Sequence, residues 1–399
     1  GDHQDLVGAR RALGAAGARR APLLGMALAL AACVAVAPSA APPTPAPLAP
    51  PHALAATLRA AELPPRDDAA LARDLILSGT PVPRVVRTAD PAPGAAERFW
   101  LSDLNGGEAR EITATLGLRT ANVEMWVEEG VPVDEGGLGR AAAALEERII
   151  PANRRHFGEE WRPGVDGNPR LVVLNARFSG AAGYYSSANQ YARLAHPYSN
   201  EREMFVMNVA ALAPGSAAYE AVLAHEYQHM IHWHQDPNED AWVNEGLSEL
   251  AEDLAGYGAP TARVAAFSRA PDLPLTHWPP SGADTALHYG ASYLMLRYIM
   301  ERYGADALSE VVESPANGVA SLEATLATRS PGLTVRDLIA DWAVANHLDR
   351  TDLAEGRYGY RGADPRAAPE ARLTALPAAY EGSVAQYASD YIAVAPPPT

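Results

Sequence analysis

A chain of 399 residues, 48% of them hydrophobic, has enough apolar material for one large domain or two modest ones and is not a disordered polymer. Its formal net charge is −16, and its 32 basic residues are all Arg, with no Lys. A chain this acidic lacks the basic footprint that phosphate binding needs, which argues against nucleic acid as a partner.

Arg10, Arg11, Arg19 and Arg20 lead into an apolar run from Ala21 to Ala32. That is the order of a secretory signal, so residues 1–37 are expected to direct export. Ala35 and Ala37 suit a signal peptidase, whereas Leu30-Ala31-Ala32-Cys33 resembles a lipobox, in which the Cys carries lipid. The expected destination is extracellular or the cell surface as a lipoprotein, with membrane contact only through the signal or a lipidated Cys33. An uncleaved span from Ala21 to Ala37 is short for a membrane helix. Cys33 is the only cysteine, so the folded part is expected to rest on its core and a metal rather than on a disulfide. Gly1 in place of Met, and a Pro-rich end, read as a fragment.

Residues 38–53 are nearly all Ala and Pro and read as a semi-stiff linker. Residues 54–97, with one helical pattern (Leu58, Ala61, Leu71, Leu75), read as a propeptide or strap. Beyond them Ile112, Ala114, Leu116 and Leu118, then Val123, Met125 and Val127, alternate with polar residues as half-buried strands do. Leu138, Ala142, Leu145 and Ile149 step at helical spacing, and Pro151 is expected to end or kink that helix. Leu171–Leu174 and Met204–Val209 are compact apolar runs suited to strands.

The chain then turns helical: 217–233, 239–255 with Gly256 and Gly258 at its exit, 288–303 closed by Gly304, and a helix capped by Thr334 with Asp337 three residues later. Strands followed by helices predict an α+β body: an N-terminal catalytic lobe with a mixed sheet over 98–258, and a helical lobe over 259–350. Residues 351–399 form a tail in which Tyr380–Tyr391 alternates like the start of a strand. Asp166-Gly167-Asn168 reads as a turn in preference to a calcium loop.

Chemistry concentrates in Ala224-His225-Glu226-Tyr227-Gln228-His229-Met230, an HExxH pattern in a run free of Pro and Gly. Two His four residues apart on a helix project from one face and reach one cation, with Glu226 beside them to take a proton from water. A catalytic zinc site wants three protein ligands and an open position. His232 lies seven residues from His225, about 10 Å along the axis, too far for the same metal. It and His234 are expected at the rim. A metzincin-type third His is missing, because His232 and Gln235 stand where that pattern needs Gly and His.

Glu245, sixteen residues past His229 in Asn244-Glu245-Gly246-Leu247-Ser248-Glu249, is therefore the expected third ligand. Asp236 and Glu239 are the fallback. Glu249, one turn on, is placed to accept a hydrogen bond from a ligand imidazole.

HExxH followed by a helix bearing Asn-Glu-x-x-Ser-acid resembles the gluzincin metallopeptidases. More narrowly, AHEYQHMIHW with EDAWVNEGLSELAE, FGEEWRPGVDGNPRLVVLN, AGYYSS, SNEREMFVMN and HYGASYLMLRYI are similar to the hyicolysin-like secreted bacterial zinc peptidases, over roughly residues 98–350. The interval to Glu245 is shorter than in many gluzincins, where it is nearer twenty. The resemblance implies a zincin-like fold, a zinc cofactor, Glu226 as general base, and an oxyanion donor from the later helical region. Tyr289, expected just before a helix starting at Gly290, is the first choice, His288 the second and Tyr293 the third. Peptide substrate is expected to add to an edge strand, for which Met204, Phe205, Val206, Met207 and Asn208 are the candidate. A catalytically silent binding or adhesion domain of the same fold is the alternative function.

Overall fold

The computed structural model describes residues 66–86, 90–104, 108–279 and 285–395. The expected export signal, Cys33, the Ala/Pro linker and residues 54–65 lie outside the described residues. No described helix is long and apolar enough to cross a membrane.

Six strands form one mixed sheet: β1 (Ala96–Leu101), β2 (Arg110–Arg119), β3 (Val123–Glu128), β4 (Leu171–Ala176), β5 (Gly183–Tyr185) and β6 (Met204–Asn208), in the order β1-β2-β3-β4-β6-β5. The first three are antiparallel neighbours; β3, β4 and β6 run parallel, and β5 returns antiparallel along β6. Parallel neighbours need a long crossover, usually a helical one, and β3 reaches β4 through α2 (Glu135–Ala144) and α3 (Ile150–Phe157). Pro151 does not end this helix. A five-residue π-turn over Leu145–Ile149 joins α2 to α3, and Pro151 falls in the first turn of α3, directly after that irregularity in the ladder.

Strand burial departs from the half-buried expectation in the middle of the sheet. On β3, Val123 and Met125 face the main core while Trp126 joins a second core on the other face, with Phe99, Leu101, Leu116, Val172 and Leu174. The rings of Phe99 and Trp126 meet edge-on at 5.0 Å. Glu124, read from the pattern as solvent-facing, is buried and accepts hydrogen bonds from Trp126 Nε1 and Asn168 Nδ2. Asn168 and Asp166 form a closed turn, Asp166 Oδ1 accepting from Asn168 N. Strand β6 carries neighbours on both sides, so Met204–Asn208 is not an edge, and the edge strand on that side of the sheet is β5.

The main core lies between the sheet and the helices. These are α1 (Asp68–Leu75), α4 (Ala217–Gln235), α5 (Ala241–Glu252), α6 (Thr261–Arg269), α7 (Thr285–Tyr303), α8 (Asp306–Val312), α9 (Val319–Arg329) and α10 (Val335–Leu348), with α2 and α3. Helix α1 exposes Leu71 and Leu75 and buries only Ala72, so its apolar pattern is not a core stripe. The expected Thr334–Asp337 capping box closes the start of α10. In the tail, residues 380–391 form no strand; a short parallel pair, β7 (Ala371–Leu373) and β8 (Ile392–Val394), flanks them, and Tyr391 Oη donates to Ala343 O on α10.

Helix α4 runs through the centre. Ser216 caps it by accepting from Tyr219 N, and residues Leu223 to Gln228 are all buried. Buried polar groups tie it in place: Tyr219 Oη donates to Asn175 Oδ1 at 2.6 Å, Asn153 Nδ2 to Ala224 O at 2.8 Å, and Tyr227 Oη to Glu160 Oε2 at 2.6 Å. Gly183 lets β5 lie against it, since a Cβ there would stand 2.7 Å from Val222.

Candidate metal centre

His225 and His229 lie one turn apart on α4, their rings 4.8 Å apart. Helix α5 packs alongside and brings Glu245 to them. Its Oε2 lies 3.3 Å from His225 Nε2 and 3.6 Å from His229 Nε2. Ligands at about 2.0–2.1 Å from one tetrahedral ion are about 3.3–3.4 Å from each other, so the three atoms stand at the spacing of one coordination sphere. That same Oε2 is buried and has no hydrogen-bond partner, which is how an oxygen reserved for a cation is placed. Two imidazoles and a carboxylate suit a transition metal rather than calcium or magnesium. The residues therefore fit a divalent metal. Asp236 and Glu239, the fallback ligands, are not part of this group.

The outward ring nitrogens are held as well. His225 Nδ1 lies 3.1 Å from Glu252 Oε1 and 3.4 Å from Glu249 Oε1. His229 Nδ1 contacts Asn244 Oδ1 and lies 3.1 Å from Ser248 Oγ. Partners on Nδ1 favour the tautomer that turns a bare Nε2 inward, as metal ligation needs. Glu249, expected as the imidazole's acceptor, is fully buried and shares His225 with Glu252, which makes the hydrogen bond, while Arg263 from α6 forms an ion pair with Glu249. Glu252 sits seven residues past Glu245, on the same helical face, and that spacing was the signal that could have found it. Arg263 had no such signal.

Charge in the cluster follows the geometry. Burial would raise Glu245, but the facing imidazoles of His229 and His225 hold it well below the usual carboxylate range. Burial would lower His225, yet Glu245 and Glu252 push it well above the ordinary value. Glu226, also buried, is raised by burial in spite of the two imidazoles nearby. Its Oε2 accepts the N–H of Tyr185 on β5 at 2.8 Å.

Tyr289 lies inside α7, which starts at Thr285, and not ahead of a helix as expected. Its ring is 6.3 Å from that of His225, with Trp278 edge-on at 4.9 Å and the Arg263 guanidinium 4.2 Å over its face. Burial and Glu245 raise its hydroxyl pKa. His288 instead packs against His277 and Trp278, and Tyr293 Oη donates to Asp253 Oδ2 at 2.6 Å. His234 is exposed as expected, but His232 is not at the rim: it is fully enclosed, and burial drives it down to about 3. At the far end of α4 Ile231 and His232 are buried while His234 is exposed, so the His225 face stays in the core to the end of the helix.

No family model matches the chain. Over 291 residues it is 22% identical to neutral metalloprotease ShpI of Staphylococcus hyicus, an alignment covering 66% of this chain and 65% of that protein. The chain thus spans just under two thirds of this relative's length. Among solved structures, Legionella pneumophila aminopeptidase A in complex with aspartic acid aligns with 62% of this chain and 28% of its own, at 14% identity and a TM-score of 0.39, too low to bear on fold or function.

Glu245 is set by a close helix contact. A Cβ at Gly246 would stand 2.9 Å from the backbone of Ser292 on α7. Gly246→Ala is expected to push α5 and α7 apart, lowering stability by about 1–3 kcal/mol and weakening metal retention. Urea midpoints and metal content of the purified variant check this.

Proposed function

We propose that the chain is a zinc-dependent endopeptidase of the gluzincin type, related to the hyicolysin-like enzymes, with His225, His229 and Glu245 as ligands and Glu226 as general base. The observation that carries this reading is the buried Glu245 oxygen, without a hydrogen bond, facing both Nε2 atoms at ligand spacing. The similarity to a named neutral metalloprotease supports it. Zinc bound there would polarise a scissile carbonyl and acidify a water.

The chain's own groups do the rest. Glu226 has one oxygen engaged by Tyr185 N–H, which leaves the other to take a proton and pass it to the leaving amine. Glu252, Asn244 and Ser248 fix the imidazole planes. Tyr289 is the proposed donor to the developing oxyanion, its ring clamped by Trp278 and Arg263. Peptide would add along β5, one of the sheet's two edge strands and the one that touches Glu226. Export through residues 1–37, with or without lipid on Cys33, belongs to the same proposal.

The test is zinc content by atomic absorption together with casein cleavage before and after a zinc chelator. Stoichiometric zinc and chelator-sensitive cleavage, restored by zinc, are expected; zinc without cleavage would favour a binding domain instead. Tyr289→Phe is expected to lower kcat by about 10²–10³ with KM nearly unchanged, as steady-state kinetics on a peptide would read.

A further inference from the structure

We infer that the junction between α4 and α5 holds a hard divalent cation of the calcium class, bound through the carboxylates of Asp236 and Glu239 and the side-chain oxygen of Asn317. The junction is Asp236-Pro237-Asn238-Glu239-Asp240, in which four of five side chains carry oxygen and none is basic. Asp236 is 5% exposed and Glu239 8%.

One oxygen of each is accounted for. Asp236 Oδ1 accepts from Asn238 N at 3.3 Å, and Glu239 Oε1 accepts from Gly318 N at 2.6 Å and Asp240 N at 2.5 Å. Asn317 Nδ2 donates to Asn238 O at 2.6 Å. These bonds tie the three side chains to one small patch of backbone. They leave Asp236 Oδ2, Glu239 Oε2 and Asn317 Oδ1 buried with no hydrogen-bond partner.

Nothing cationic serves these oxygens: among the described residues no Arg or His forms an ion pair with Asp236 or Glu239. The start of α9 explains Glu239 Oε1, through Gly318 N–H, but not Oε2. Buried carboxylate oxygens without donors are costly unless a cation or a proton meets them. Burial, with Asp236 and Asp240 close by, pushes Glu239 up to about 7. An all-oxygen set with two carboxylates and an amide selects calcium-like ions over zinc.

The consequence reaches the metal centre. Helix α4 carries both His ligands, α5 carries Glu245, and only this junction separates them in sequence. A cation here would fix the spacing of the two helices, whether or not the centre cleaves peptides.

The rival is a proton shared between Asp236 and Glu239, and a second acidic group, Asp272, Glu370 and Asp390, is the control. The experiment is equilibrium dialysis of the full zinc-loaded chain against calcium chloride, with thermal melts in the same buffers. Wild type is expected to bind calcium and melt several degrees higher with it. Asp236→Asn and Glu239→Gln should each bind at least about tenfold more weakly, and Asp272→Asn should leave both readouts unchanged. If a carboxylate variant fails to fold, Asn317→Ala, which removes the neutral oxygen together with the hydrogen bond to Asn238 O, should show the same loss. Calcium binding that disappears only in Asp272→Asn overturns the inference. So does a wild type that binds no calcium while Glu239→Gln raises its melting point.

Discussion

Glu226→Gln is expected to lose about 10²–10⁴-fold in turnover while keeping its zinc. The substitution is nearly isosteric, and the amide oxygen can still accept the Tyr185 N–H that holds the carboxylate at 2.8 Å. His225, His229 and Glu245 keep their mutual distances, so nothing in the ligand set changes. What disappears is basicity: an amide cannot take a proton from water near neutral pH. The loss should therefore fall on kcat with little change in KM, the signature of a group acting in the transition state. Casein or peptide kinetics, with zinc measured on the same preparation, separate this from metal loss. A variant that turns over at close to the wild-type rate would remove Glu226 from the role of base.

The sequence was most legible where one local period decided the outcome. The HExxH helix and Glu245 could be read because α-helical spacing alone puts His225 and His229 on one face, and a return helix must follow Asp236-Pro237. Strands β4 and β6 were visible as apolar runs because both their faces are buried. Strand order was not visible. β5 is three residues long and leans on a glycine, too short for any alternation, yet it takes the outer position and encloses β6.

His232, and the ending half of the Pro151 expectation, failed for a related reason. A π-turn absorbed the proline, and tertiary packing enclosed the end of α4; neither is encoded in the neighbouring residues. At the centre, Glu252 was within reach of helical arithmetic. Arg263 and the Tyr185 N–H arrive from α6 and β5, and only the assembled chain brings them to Glu249 and Glu226.

Glu245→Ala should empty the centre. Removing an outer hydrogen-bond partner of a ligand already costs about 10–100-fold in metal affinity. Deleting a proposed ligand, and the only carboxylate among the three, should cost more than that and leave the purified protein without stoichiometric zinc. The metal-free fold is expected to feel the change too. Without metal, Glu245 is the anion that faces both Nε2 atoms, and its removal takes the favourable partner from His225, whose ring is enclosed.

Zinc titration against a competing indicator, with far-UV circular dichroism to show that α4 and α5 persist, distinguishes ligand loss from unfolding. Wild-type zinc affinity in a folded Glu245→Ala protein would mean that another oxygen fills the third position. The nearest alternatives, Glu249 and Glu252, address Nδ1 of His225 rather than Nε2. To serve as ligands they would have to turn that ring over and break its hydrogen bond to Glu252, so retention is not expected.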